Sequence, residues 1–237
     1  MYWWMVAGFV LGVGSMLSGC SEEGTFSDAS VEISTQLGAS SVGSVAKSVK
    51  FAPAGWSGVD SLQVTRVRIL VRRLKLHSVS EDTASEGRDL KLGPFVAVFT
   101  SQRQTLSITA IPPGVYRWLN LGFHRLSDSE AAQYAADPLF RDFVMPERYS
   151  VLIEGRVFRG DSAIPFVYRS EVMANVAVEM DPPASATQTE LLRLLVLFEP
   201  RQVFVEGNIV LDPRDPRLRS LIENKLRGAL KALGRTL

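Results

Sequence analysis

Beyond residue 60 apolar and polar positions alternate with period two over long stretches, the pattern of strands with one face buried. In 64–77, Val67, Ile69 and Val71 share one face while Arg66 and Arg68 take the other. After Arg72-Arg73 the phase flips, and Leu74 and Leu76 become the apolar set. One inserted residue returns both sets to a single face, so a β-bulge is expected there. Residues 93–99, 104–110, 149–158 and 201–211 read as further strands, and 163–180 as one or two. Val31, Ile33 and Leu37 have the spacing of an early strand. Residues 190–198 (ELLRLLVLF) are apolar on both faces, the mark of a central strand, although periodicity alone leaves a helix open.

Turn and cap chemistry punctuates this pattern. Ile111-Pro112-Pro113-Gly114 reads as a type II turn, with Pro113 presetting φ and Gly114 supplying a positive φ. In the strand that follows, Val115, Leu119, Leu121 and Phe123 fall on one face, and Tyr116, Trp118, Asn120 and His124 on the other. Ser127 and Glu130 have capping-box spacing, which predicts a short helix near 128–137 stopped by Pro138. Asp181-Pro182-Pro183 is expected to break the chain. A 3.6-period stripe of Leu218, Ile222, Leu226, Ala229, Leu230 and Leu233 predicts a C-terminal amphipathic helix near 216–233. Asp215 would be its N-cap, Pro216 its first residue and Gly234 its C′ position. The sum is a mainly β chain, an antiparallel β-sandwich with one short and one covering helix.

Composition then narrows the function classes. The formal net charge is +1, which gives no basic field for nucleic acid. A single cysteine excludes an intrachain disulfide framework and thiolate metal clusters. No phosphate loop or nucleophile elbow is present, so neither a cofactor nor a catalytic residue is assigned. Residues 1–19 carry no Asp, Glu, Lys or Arg and are apolar enough to enter a membrane.

That apolar run ends in Leu17-Ser18-Gly19-Cys20. The four residues resemble the lipobox of bacterial lipoproteins, which implies cleavage before Cys20 and acylation of its thiol and amine. The alternative is an uncleaved anchor, and either places the body outside the cytoplasm. Ser21, rather than Asp, implies the outer membrane by the same resemblance. The expected organisation is a signal peptide at 1–19, an acidic tether and Ser/Gly-rich linker at 20–60, and a β domain at 61–237. VTRVRILVRRLKLH (64–77), GPFVAVF (93–99), IPPGVY (111–116), YSVLIEGRVFRG (149–160) and LDPRDPR (211–217) together resemble a family of bacterial cell-envelope lipoproteins with a prealbumin-like (Ig-like) sandwich domain of unknown function. The resemblance informs fold and location. It carries no activity over.

Four groups of residues invite chemistry. His124, Ser127 and Asp128 are close in sequence, but Ser127 is better explained as a cap, and a triad needs geometry that proximity does not supply. Glu81, Asp82, Glu86 and Asp89 could offer oxygen ligands to Ca²⁺, or form a solvated loop. Arg217, Lys225, Arg227 and Lys231 concentrate positive charge on the last predicted helix, as a docking face for phosphate-rich glycolipid or an acidic partner, or as a solvated face. Tyr116 and Trp118 could bind sugar or protein, or be covered. The reading expected is a lipid-anchored binding or structural accessory of the cell envelope. Its partners would be the membrane, through the N-terminal lipid, and an envelope protein or glycan. The alternatives are an envelope hydrolase with a loop-assembled site and a carrier of an apolar ligand.

Overall fold

The computed structural model describes residues 28–43, 59–80 and 87–236. Cys20 and the residues around it lie outside the described residues, as do Glu81, Asp82 and Glu86. The chain opens with β1 (Ala29–Leu37) and β2 (Ser41–Gly43), followed by the 18-residue β3 (Ser61–Ser78). Then come β4 (Arg88–Phe99), β5 (Gln104–Ile111) and β6 (Gly114–Phe123). Helix α1 (Asp128–Tyr134) and a 3-10 turn at Pro138–Phe140 lead into β7 (Val151–Arg159), β8 (Ser162–Ser170) and β9 (Ala174–Ala186). The last part holds β10 (Leu191–Phe198), α2 (Pro200–Phe204), β11 (Val205–Glu206), β12 (Ile209–Val210), α3 (Arg219–Leu226) and β13 (Leu230–Thr236). No helix among the described residues is long and apolar enough to cross a membrane.

The protein is mainly β. One large curled sheet has the order β5-β1-β10-β13-β9-β6-β3-β7-β8, with β2 and β4 on the second edge of β3, and β11-β12 form a small separate sheet. β3 is long enough to serve two neighbours along one edge, β7 through Ser61–Ile69 and β6 through Val71–Ser78, while β4 runs along the other. The curl brings the end of β4 back to β1, where the Leu37 N–H donates to Thr100 O at 2.8 Å. The apolar faces enclose one large core that includes Val67, Ile69, Leu119, Phe198, Phe204 and Leu226. A second, smaller cluster lies on the outer face, where the 124–150 insert lays Phe140 and Phe143 over Leu70 and Leu152.

The bulge expected at Arg72-Arg73 is present, as a register shift between Val71 and Arg73 against both β4 and β6. The early strand is also there, and it lies inside the sheet between β5 and β10. Ala29–Leu37 is therefore part of the folded body rather than of a tether, and the fold begins before residue 61.

Several expectations are corrected. The sheet is mixed rather than antiparallel throughout, since β1 and β10 run parallel. Gly114 does not have a positive φ; it starts β6 opposite Ala186. The face assignment in β6 is wrong at its start. A register shift between Tyr116 and Trp118, shared by both neighbours of β6, turns Tyr116 into the core and leaves Val115 41% exposed. Asp181-Pro182-Pro183 does not end a strand: β9 carries it in a local irregularity where no ladder bond is needed from proline. Helix α1 ends at Tyr134 rather than 137, because Asp137 instead caps the 3-10 turn by accepting the Leu139 N–H at 2.9 Å. Residues 201–211 form α2 and the β11-β12 hairpin, not one strand. Pro200 opens a helical turn, and the adjacent Val203 and Phe204 are both fully buried, which an alternating strand does not allow.

The largest correction concerns the C-terminus. The helix ends at Leu226, and Leu230–Thr236 is a strand antiparallel to β10. Leu218, Ile222 and Leu226 are buried as predicted, but Leu233 is 50% exposed. Without β13 the second edge of a central apolar strand would leave its N–H and C=O groups unpaired, which costs more than a helical continuation gains. Gly234 serves this strand rather than a helix cap. A Cβ there would lie 2.5 Å from the Ala184 Cβ.

Candidate functional site

The outer face of β3, β6 and β9 carries a set of neighbouring polar side chains. Register sets them in rows: Arg73 beside Gly122 beside Asn175, Lys75 beside Asn120 beside Ala177, and His77 beside Trp118 beside Glu179. Two adjoining clefts of about 190 and 300 Å³ open there and share Arg73, Gly122 and Asn175. His77 lines the first and His124 the second, so the fold brings the chain's two histidines to the ends of one surface. His77 is fully buried, with its Nε2 3.0 Å from Asn120 Nδ2. It is roofed by Gly87, where a Cβ would fall 2.5 Å from the imidazole. Arg117 lies over the Trp118 ring at 5.6 Å and pairs with Glu179 at 2.6 Å.

His124, Ser127 and Glu130 meet where the insert leaves the sheet. Glu130 Oε2 is 3.0 Å from His124 Nε2, and it accepts the Ser127 hydroxyl at 2.9 Å and the Ser127 N–H at 2.8 Å. Burial by itself raises the Glu130 pKa. The Ser127 N–H, the His124 ring and the Ser127 hydroxyl outweigh it and hold the pKa at about 2. Serine and histidine thus both bond to one carboxylate. A nucleophilic serine needs its hydroxyl on the histidine, with the carboxylate behind. Asp128 instead pairs with Arg148 at 2.5 Å. The arrangement fits the expected capping box, whose two reciprocal bonds are both made.

The basic residues of the predicted last helix are spread over several elements. Arg217 lies in a 3-10 turn and pairs with Asp215 at 2.6 Å, and Lys225 on α3 pairs with Glu206 at 2.6 Å. Arg227 caps α3, and Lys231 is exposed on β13. Asp89, expected in an acidic loop, lies in β4 with its carboxylate 3.5 Å from Arg73. Arg66 and Arg68 both bond Glu154, but only Arg66 faces solvent. Tyr116 is buried and donates to Pro112 O at 2.6 Å, while Trp118 is half-buried.

Sequence reasoning missed a local repeat. In Asp212-Pro213-Arg214 and Asp215-Pro216-Arg217 each aspartate accepts the backbone N–H of the arginine two residues on at 3.0 Å. Each also takes that arginine's Nε at 2.9 Å and its Nη2, at 2.7 Å for Asp212 and 2.6 Å for Asp215. Burial raises the Asp212 pKa, but the Arg214 guanidinium and N–H bring it below the ordinary value. The D-P-R-D-P-R string was the available signal. These turns line a cleft of about 690 Å³ against β8, with Tyr149, Arg169 and Arg219.

Among the described residues no group of His, Cys, Asp and Glu could hold a metal ion. No family model, no curated protein and no solved structure matches the chain.

Proposed function

We propose that this protein is a lipid-anchored, extracytoplasmic binding or structural accessory of a bacterial cell envelope. The observation that carries this reading is Leu17-Ser18-Gly19-Cys20 at the end of an uncharged apolar run. Two or more acyl chains on Cys20 would make the attachment stable, at about 0.8 kcal/mol per buried CH₂. The strand-rich body supports a prealbumin-like sandwich as its finer class, and the Tyr116 hydroxyl bonded four residues upstream is a device of Greek-key sandwiches. Binding rather than hydrolysis is supported by Ser127, whose hydroxyl is taken up by a carboxylate that also holds His124. Mass spectrometry of the membrane-extracted protein should find an acylated N-terminus at Cys20. Cys20→Ala should release the protein from membranes or leave it unprocessed. An intact Met1 terminus on the extracted wild type sinks the lipoprotein reading.

A further inference from the structure

We infer that one end of the folded body rests on the lipid bilayer and dips an uncharged tip, built from Val79 and the 112–115 turn, into its headgroup layer. The inference rests on the reading that Cys20 carries lipid, and it names the face which that lipid would hold against the membrane.

Strand register gathers this end. Ala29, the first residue of β1, lies opposite Ile111, the last of β5, and Ser30 lies opposite Leu191, the first of β10. Gly114, the first residue of β6, lies opposite Ala186, the last of β9. Just past β3, the Val79 N–H donates to Val115 O at 3.0 Å. Eight residues separate Cys20 from Ala29. Nine Cα–Cα steps span at most about 32 Å, whatever their conformation. β1 alone, with nine residues, runs about 30 Å away from this end. A lipid on Cys20 therefore keeps the start of β1 towards the bilayer. The opposite end could reach the membrane only with the connection drawn out along the whole body.

The chemistry of the end suits lipid. Of the whole chain 22% is charged, yet 78–80, 105–116 and 182–189 hold no Asp, Glu, Lys, Arg or His. No ionised group of these segments must be desolvated when the tip enters the headgroups. Val79 is 51% exposed and Val115 41%, with Pro112 and Pro113 exposed beside them. Ala110 and Ile108, at exposed positions of β5, carry the same uncharged surface up the side of the body. The turn's backbone is partly satisfied before it meets lipid. Pro112 and Pro113 have no N–H, Pro112 O accepts the Tyr116 hydroxyl, and Val115 O accepts the Val79 N–H. At the opposite end, where Ser61 lies opposite Phe158, the β7-β8 turn is Arg159-Gly160-Asp161. Asp28 and Glu190 border the tip, and Glu81, Asp82 and Glu86 fall between Ser80 and Gly87, outside the described residues, against Arg88 and Arg235. That balance lacks the basic excess that anionic lipid attracts, so the partner is a zwitterionic surface.

The test uses the full-length protein reconstituted into phosphatidylcholine vesicles, with one introduced cysteine carrying an environment-sensitive fluorophore. Cys20 is the only native thiol and is acylated on this reading, so the introduced cysteine alone takes the label. Val79→Cys and Val115→Cys alter exposed side chains, which leaves folding intact. Asp161→Cys is the control at the opposite end. Labels at 79 and 115 should lose most of their intensity to nitroxide lipids. A nitroxide near the headgroups should quench them more than one at the chain ends, as a depth of about 5–10 Å requires. The label at 161 should keep its intensity. Val79→Glu, added to the chain labelled at 115, should abolish most of the quenching by placing a carboxylate at the tip. Exchanging part of the phosphatidylcholine for phosphatidylserine should not strengthen it. Equal quenching at all three sites, or none at 79 and 115, overturns the inference. Quenching untouched by Val79→Glu assigns the position to the N-terminal connection alone and overturns the docking. Stronger quenching with phosphatidylserine overturns the lipid class. An acylated Cys20 with an unquenched label at 115 defeats this inference and leaves the lipoprotein reading standing. A Cys20 without acyl chains defeats both.

Discussion

Glu130 shows how one side chain decides what its neighbours can do. Its carboxylate closes the N-terminus of α1 and holds His124, so the closeness of Ser127 and His124 is used for structure. Ser127→Ala removes one half of the capping box and should cost about 1 kcal/mol, read as a lower denaturant midpoint. The carboxylate should also contribute to the protein's sensitivity to acid. Its folded pKa of about 2 lies below its ordinary 4.5, so the stabilisation is complete above about pH 4.5 and is lost as pH falls towards 2. Melting temperature plotted against pH should therefore fall over that window. Glu130→Gln should flatten the fall, and an identical slope in the variant would show that other carboxylates govern acid unfolding.

At the level of elements, the C-terminal segment tests how far periodicity can be trusted. Leu226 and Leu233 belong to the same apolar stripe in sequence. In the fold Leu226 is fully buried on α3, and Leu233 faces solvent from β13. Leu226→Asp buries an unpaired carboxylate and should cost several kcal/mol, a large part of a domain's net stability. Leu233→Asp should stay within about 0.5 kcal/mol of wild type, as exposed substitutions do. Equal losses for the two in chemical denaturation would restore a continuous helix. Gly234→Ala provides a second check on the strand, because the added methyl would meet Ala184 and should cost about 1–3 kcal/mol through overpacking.

On the scale of the whole molecule, the sheet is curled around one core, and what happens on its outer face depends on position. Over Leu70 and Leu152 the 124–150 insert covers it; further along, Arg73 and Asn175 are exposed beside a cleft. Arg68 joins the two regimes. Its guanidinium bonds Glu154 on β7 at 2.8 Å and Asp142 in the insert at 2.6 Å, over the ring of Phe143. Arg68→Ala should destabilise the protein by about 2 kcal/mol, since charged hydrogen bonds in a mostly covered place are lost. The loss should be local, appearing as faster limited proteolysis within 124–150 before global unfolding. Proteolysis at the wild-type rate would show that the apolar cluster alone holds the insert.

The local facts were legible in the chain. Alternation around Val67 and Leu74 located β3 and its bulge, Ser127 and Glu130 located α1, and Val31, Ile33 and Leu37 marked β1, because these patterns express backbone geometry that neighbouring residues set by themselves. Partners were not legible. That β1 runs parallel to β10, and that Leu230–Thr236 leaves a helix to complete the other edge of β10, depend on backbone groups far apart in sequence needing one another. The candidate site divides in the same way. Arg72, Arg73, His77 and Asn120 could each be read as polar residues of strands, but nothing local places Asn175 beside Arg73 or His124 at the cleft's far end. Those neighbours follow from β6 lying between β3 and β9, and pairing order is settled by which edges can be satisfied and which apolar faces can be closed over one core.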